Sequence, residues 1–283
     1  MRTRSPEPAG AAPSNFPSGT PPPLSQLLRG TVPRVPEGKL TPSSVLLLTP
    51  RDREVLRDVY RFGCLSAVQV ADRHWPGSAS AKTALNRLGQ LCGAGYLLRR
   101  PLGHREDGAY LLAPKGRAEL GLPPHRARPD LRAAGSLRHR LVVADVAGWL
   151  RSRRYRGGDP EWISEVDVYD GRLWLPRRPA GHRPSGRERG TLMVPDGVLV
   201  LRGGERVWRL AVEVELHQKA SRLYDVKLAW YAGQFAADAL DGCLWLCAGE
   251  GRTAPIRAAA GRLAPDAAGL VGVQSLPEGV TAY

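Results

Sequence analysis

Nowhere does the chain run to the roughly 18 consecutive apolar residues that a membrane-spanning helix needs, and no basic amphipathic anchor stands out. Residues Met1 to Phe16 carry two arginines but lack the apolar centre of a signal peptide, so the cytoplasm is the expected location and no membrane the expected setting. Cysteine is scarce: Cys64, Cys92, Cys243 and Cys247 form no CxxC pair and lie in apolar stretches. That spacing fails the usual zinc pattern and reads as reduced core thiols. Lysine is scarce too, so the excess of 41 Lys and Arg over 27 Asp and Glu, a formal charge of +14, is carried almost wholly by arginine. Such a balance calls for a polyanion, and the planar guanidinium fork suits phosphate and guanine edges. Double-stranded DNA is the expected partner.

Ten prolines fall within the first 42 residues among Gly, Ser and Ala. A stretch so poor in core-forming side chains cannot bury enough surface to offset its ordering entropy, and residues 1–42 read as a disordered tail. Order is expected from Thr49, which can cap a helix with Pro50 in its first turn and Val55, Leu56, Val59 and Phe62 as an apolar stripe ending near Gly63. Ser66 caps a second, shorter segment that Pro76-Gly77 breaks. A third helix, from about Ser78 to Cys92, turns Leu85, Leu88 and Leu91 toward a core and leaves Lys82, Thr83, Asn86 and Arg87 outside. Tyr96 to Arg100 and Ala109 to Leu112 then read as a β-hairpin, and Pro114 to Leu120 as a short closing helix. Three helices and a basic hairpin make a winged helix-turn-helix over 43–121. In that motif the third helix enters the major groove, so Lys82, Thr83, Asn86 and Arg87 are candidate base readers, and Arg99, Arg100 and Arg105 on the wing candidate contacts to phosphate or the minor groove. Winged helices also serve as dimerisation modules, which leaves a homodimer open.

Residues 122–135 read as a linker and 136–283 as an α/β domain: a helix from Leu137 to Leu150, a strand from Trp162 to Tyr169, and a loop at 172–191 holding six arginines, Arg177 and Arg178 among the expected DNA contacts. A two-strand unit, a helix from about Ser221 to Leu240, a strand at Cys243 to Cys247, an Ala-rich helix and a last strand near Leu270 to Leu276 follow. The fold class is α/β (α+β), a winged helix followed by a mixed sheet with helices. Gly203-Gly204 reads as a two-residue hairpin turn that sets Arg202 opposite Glu205 and Asp196 opposite Ala211. Side chains alternate along a strand, so Asp196, Ala211, Glu213 and Glu215 share one face, while Leu199, Leu201, Trp208, Leu210, Val212, Val214 and Leu216 share the other. Three carboxylates on one face can hold a hard cation, Mg²⁺ or Mn²⁺, beside a scissile phosphate. The plainer alternative is the solvated side of an amphipathic hairpin.

Pro195-Asp196 followed by Glu213-Val214-Glu215 on the next strand is similar to the active-site pattern of the PD-(D/E)xK nuclease superfamily. Glu215 stands where the pattern has lysine, and the resemblance implies that Lys219, or Lys227 on the following helix, supplies it. From roughly Leu48 to Tyr231 the chain also resembles the replication-relaxation family of plasmid and integrative-element proteins. The segments that carry this are LTPRDREVLRDVYRFGCLSAVQVA, LRHRLVVADVAGWL, VPDGVLVL, EVEL and the helix with Lys227 and Tyr231. What the resemblance implies is a DNA-binding protein of a mobile element, working with other mobilisation or replication proteins. Its activity would be that of a metal-dependent, relaxase-like nickase or endonuclease using Asp196, Glu213, Glu215, Lys219 and Lys227. A non-enzymatic regulator with a degenerate nuclease domain is the alternative.

Three further residues carry two readings each. His139 shares a helix face with Val142, Val143 and Val146, which favours a hydrogen-bonded core histidine over a proton-transfer group beside the acids. Glu165 is either a fourth acid or a solvated strand residue. Tyr231 is either a nucleophile or, as the stripe Tyr224, Leu228, Tyr231, Phe235 favours, a packing residue.

Overall fold

The computed structural model describes residues 46–76, 80–102, 108–122, 134–153, 155, 159–175 and 193–280. The expected tail, most of the linker, Arg105, Arg177 and Arg178 lie outside the described residues. Residues Pro42–Tyr283 form one compact unit.

The winged helix assembles from local signals. Helix α1, Pro50–Phe62, starts at a capping box in which the Thr49 hydroxyl accepts from the Asp52 N–H and the Asp52 carboxylate accepts from the Thr49 N–H. It stops at Gly63, whose φ of 79° suits glycine and where any Cβ would strike Arg140. Strand β1, Leu65–Ser66, leads into α2, Ala67–His74, which begins with a second capping box between Ser66 and Gln69. Helix α3, Ser80–Gly93, buries Ala84, Leu88 and Leu91. Strands β2, Leu97–Pro101, and β3, Gly108–Leu112, form the wing, with β1 completing a three-stranded sheet in the order β1-β3-β2. Helix α4, Pro114–Glu119, closes the module.

Helix α5, Ala134–Ser152, leads to a five-stranded sheet, β4-β5-β6-β7-β8 in order. Its strands are β4 Glu161–Ser164, β5 Gly197–Gly203, β6 Arg206–Glu215, β7 Gly242–Cys247 and β8 Val271–Ser275. The first three are antiparallel neighbours and β6, β7 and β8 run parallel. Between them lie α6, Glu165–Tyr169, and α7, Ser221–Ala236, followed by α8, Thr253–Ala260, and α9, Pro265–Ala268. No helix of the described residues is long and apolar enough to cross a membrane.

Two expectations need correction. The segment from Trp162 to Tyr169 is not one strand: Ser164 caps α6, its hydroxyl accepting from the Asp167 N–H while Asp167 returns a bond to the Ser164 N–H, and this box overrides the alternating pattern. The hairpin turn sits one residue later than expected. Gly203 pairs with Arg206, so Gly204-Glu205 forms the loop and Gly204 takes the positive φ of 59°. Val198, not Asp196, faces Ala211. The register thus moves by two residues, which preserves the sharing of faces among the acids.

Each face of the sheet is covered. Leu199, Val212, Val214 and Leu246 join Val142, Val143 and Val146 of α5 and the winged-helix residues Val55, Leu56, Val59, Leu88 and Leu91 in a single apolar cluster. On the opposite face Val198, Val200, Ala211, Trp245 and Cys247 pack beneath Tyr224, Leu228, Tyr231 and Phe235 of α7 and Ile256 of α8. The acids therefore lie on a covered face, and the solvated-face reading does not hold: Glu213 is 3% exposed and Glu215 2%.

Candidate active site

Strand β5 begins at Gly197, so β6 outruns it and leaves the Val214 N–H without a strand partner on that side. The Asp196 carboxylate takes the place of the missing backbone, Oδ2 accepting from that N–H at 2.8 Å. Its Oδ1 lies 2.9 Å from Nε2 of His139 on α5. Gly197 is required where it stands, because a Cβ there would lie 2.0 Å from the Trp162 ring. Glycine and tryptophan together thus fix the backbone that aims Asp196.

Glu213 projects beneath α7. Lys227 Nζ is 2.6 Å from its Oε2 and the Tyr231 hydroxyl donates to its Oε1, the two partners lying one turn apart on the same helix face. Glu215 is held by Lys219, Nζ to Oε2 at 2.9 Å, and the Lys219 N–H donates to the Tyr224 hydroxyl. The structure therefore brings Asp196, Glu213, Lys227, His139 and Tyr231 together, with Glu215 and Lys219 as a separate pair alongside. Glu165 is drawn off by Arg140. His139 is half-buried and paired with Asp196, where the helical stripe alone favoured a core role.

Burial opposes charge throughout this cluster, and each group resolves the conflict differently. Desolvation alone would raise Asp196, but His139, Lys227 and the Val214 N–H outweigh it and hold the carboxyl well below the usual carboxylate range. Glu213 is pushed up to about 7, by burial first and then by the neighbouring Asp196 charge, with Lys227 and Tyr231 offsetting only part. Lys227 is raised because Glu213 and Asp196 overcome its own desolvation, and Asp196 likewise raises His139. Burial and the Glu213 charge drive the Tyr231 hydroxyl far up. A fully buried phenol bound to a carboxylate is no nucleophile, and Tyr231 packs.

Among the described residues no group of three or more His, Cys, Asp and Glu is arranged to hold a metal ion. The three-acid site thus contracts to two neighbouring carboxylates, Asp196 and Glu213, with Glu215 turned to Lys219. Two hard oxygen donors are nonetheless a fitting set for Mg²⁺, which commonly takes one or two carboxylates and completes its shell with water and phosphate oxygens.

On the winged helix, Lys82, Thr83 and Asn86 are exposed on α3, as are Arg99 and Arg100 on β2. Arg87 is placed otherwise than expected. Its Nε and one NH₂ grip both oxygens of buried Asp52 at 2.8 and 2.6 Å, and the same NH₂ donates to the Leu47 carbonyl. The fork pins α3 to the start of α1, and an outward helix position could not by itself distinguish a groove from an acid on the neighbouring helix. Replacing Asp52 with Ala should cost about 2–4 kcal/mol, through loss of the cap and an unpaired half-buried arginine, measured by urea denaturation. A cost below about 0.5 kcal/mol, the level of an ordinary surface change, would refute that role.

No family model matches this chain. No curated protein matches it either. Among solved structures, the restriction endonuclease FokI bound to DNA is similar over 80% of this chain at 14% identity and a TM-score of 0.26. The match covers 42% of the FokI chain. A likeness so slight decides neither fold nor chemistry, which rest on the geometry above.

Proposed function

We propose that this chain is a DNA-processing nuclease in which the winged helix selects a duplex site and the end of the β5–β6 hairpin cuts it. One observation carries the reading: Asp196, Glu213 and Lys227, separated in sequence, meet in one cluster around buried Glu213, with the lysine supplied from α7 in place of the residue two after Glu213. Asp196 and Glu213 would hold a divalent ion, which when bound would neutralise phosphate charge and acidify a water. This chain's own residues supply the rest. His139 and the Val214 N–H orient Asp196, and Tyr231 and Lys227 orient Glu213. Lys227 places a positive charge beside the acids, where a phosphate in transit gathers negative charge. Lys82, Thr83 and Asn86 would meet base edges, and Arg99 and Arg100 the backbone. On the resemblance of its segments to replication-relaxation proteins, the reaction would belong to the processing of mobile-element DNA, with nicking as the chemistry.

The reading is tested on supercoiled plasmid with Mg²⁺ or Mn²⁺. Nicking is expected from the native chain and should fall by at least about a hundredfold in Asp196→Asn and Glu213→Gln, the order of loss seen when a group acting on transition-state charge is removed. Equal nicking by both variants would sink it. A second reading, a DNA-binding regulator built on a retired nuclease, is favoured by the partner that every acid already has: Asp196 has His139, Glu213 has Lys227 and Glu215 has Lys219. Duplex binding that weakens steeply with salt, without nicking in either metal, would establish it.

A further inference from the structure

The winged helix does not hang from the sheet by a tether. Gln69, 4% exposed, donates through Nε2 to the Leu141 carbonyl at 2.8 Å and to Asp145 Oδ1 at 2.7 Å, both on α5, while its Oε1 accepts from the Ser66 N–H that starts α2. One turn on, Arg73 donates to the Ala144 carbonyl at 2.7 Å and lies 4.4 Å over the Phe62 ring. A second lock joins α1 to α6: the Tyr60 hydroxyl donates to Asp170 at 2.8 Å and Arg61 lies 3.8 Å from Asp167. Arg140 ties α5 to α6 through Glu165. Under these polar contacts runs the apolar cluster that passes unbroken from Val55 and Leu88 through Val142 and Val146 to Val212 and Val214 of the sheet. Joined modules swing by default unless their interface is large and apolar, and this one has a continuous apolar interior with Gln69 and Arg73 hydrogen-bonded across it.

The same helix reaches the site. His139, two residues before the carbonyl that Gln69 holds, is the side chain paired with Asp196. Resting on the nuclease reading above, we infer that the winged helix and the acid-bearing sheet move as one body, so that the phosphate presented to Asp196 and Glu213 lies at one fixed offset from the bases met by α3. Gln69, Arg73 and Tyr60 are then positioning residues that set where the strand is met. The magnitudes separate this from a tethered arrangement. A flexible connection of the length of 123–133, about 11 residues, would let its end wander roughly 18 Å. Phosphates on one strand rise by about 3.4 Å, so such wandering would smear contact over about five nucleotides. A locked body holds it to about one or two on the same scale.

The test maps that offset without using the chain's own chemistry. Ser221→Cys, exposed at the start of α7, carries an iron–EDTA radical source in a Cys92→Ser background, the other three cysteines being buried. The labelled chain is bound to a duplex selected from a random pool, with and without a flexible Gly-Ser insertion within 123–133. Radical cuts centred on the same nucleotide in both chains are expected. Cuts that shift or spread over about five nucleotides on insertion would overturn the inference, by the tether estimate above. Sharp radical cuts from a chain that never nicks plasmid would remove the nuclease reading and leave the fixed offset standing. Native nicking with a spreading radical pattern would do the reverse, and failure to select any duplex would overturn both.

Discussion

Lys227→Met lowers the stability of the metal-free chain by about 3–5 kcal/mol at neutral pH, the cost expected when one partner of a buried ion pair is removed and the other remains. The neighbourhood explains the size. Glu213 is 3% exposed and Lys227 Nζ sits 2.6 Å from it, while Asp196 adds a second negative charge close by. Without the lysine, Tyr231, His139 and the Val214 N–H remain to face two acids, and Glu213 must retain a proton to stay buried. The deficit should therefore shrink as pH falls from 8 to 5, because protonated Glu213 has less need of the ammonium. The double variant Lys227→Met, Glu213→Gln should recover most of the loss, since the Tyr231 hydroxyl can donate to the Gln carbonyl and no charge is stranded. Urea denaturation at both pH values is the measurement. A single-variant loss below about 1 kcal/mol, the scale of an exposed pair, would mean that solvent screens the Lys227–Glu213 pair as it does at a surface.

This cluster was half legible in the sequence, and the half that was not has a physical reason. Period-two alternation put Asp196, Glu213 and Glu215 on one face, and a register error of two residues could not disturb that, because only an odd slip exchanges faces. Alternation is blind to what lies over the face. Polar residues at every second position suggest water, whereas here α7 covers them and brings Lys227 and Tyr231 at i and i+4 onto Glu213. That spacing on the helix was the available signal, hidden inside an apolar stripe. The winged helix was legible for local reasons: Thr49, with Pro50 after it, and Ser66 announce their helices as caps. The cap at Ser164, boxed with Asp167, lay unread within an alternating run, and there the cap wins. Arg87 and His139 illustrate the remaining limit. A side chain's partner on a distant element, Asp52 or Asp196, leaves no trace in its own helix.

Glu213 should also impress itself on the pH dependence of folding, in the direction opposite to an ordinary ion-paired carboxylate. Its ordinary value is 4.5 and the folded chain moves it to about 7, so between those values the native state keeps a proton that the unfolded chain has released. Stability from this group is complete below pH 4.5 and is lost as pH rises through about 7, by about 3 kcal/mol in all at roughly 1.4 per unit. His139, raised by Asp196, pulls the same way above its ordinary 6.5. Asp196 pulls oppositely: held below its ordinary 3.8, it contributes above that value and is lost as pH falls further. Asp52 and Asp58, also lowered, share its direction, the first through Arg87 and the second through His74 and Arg73 once their desolvation is overcome. The metal-free chain is therefore expected to resist urea best in mildly acid solution, and Glu213→Gln, which carries no titrating proton, should flatten the fall between pH 4.5 and 7. A native profile that rises across that window, or a variant whose fall is as steep as the native one, would show that Glu213 ionises freely. A divalent ion added at pH 7.5 should then restore native stability with half-saturation that weakens as pH drops, because the ion and the proton compete for the same carboxylate.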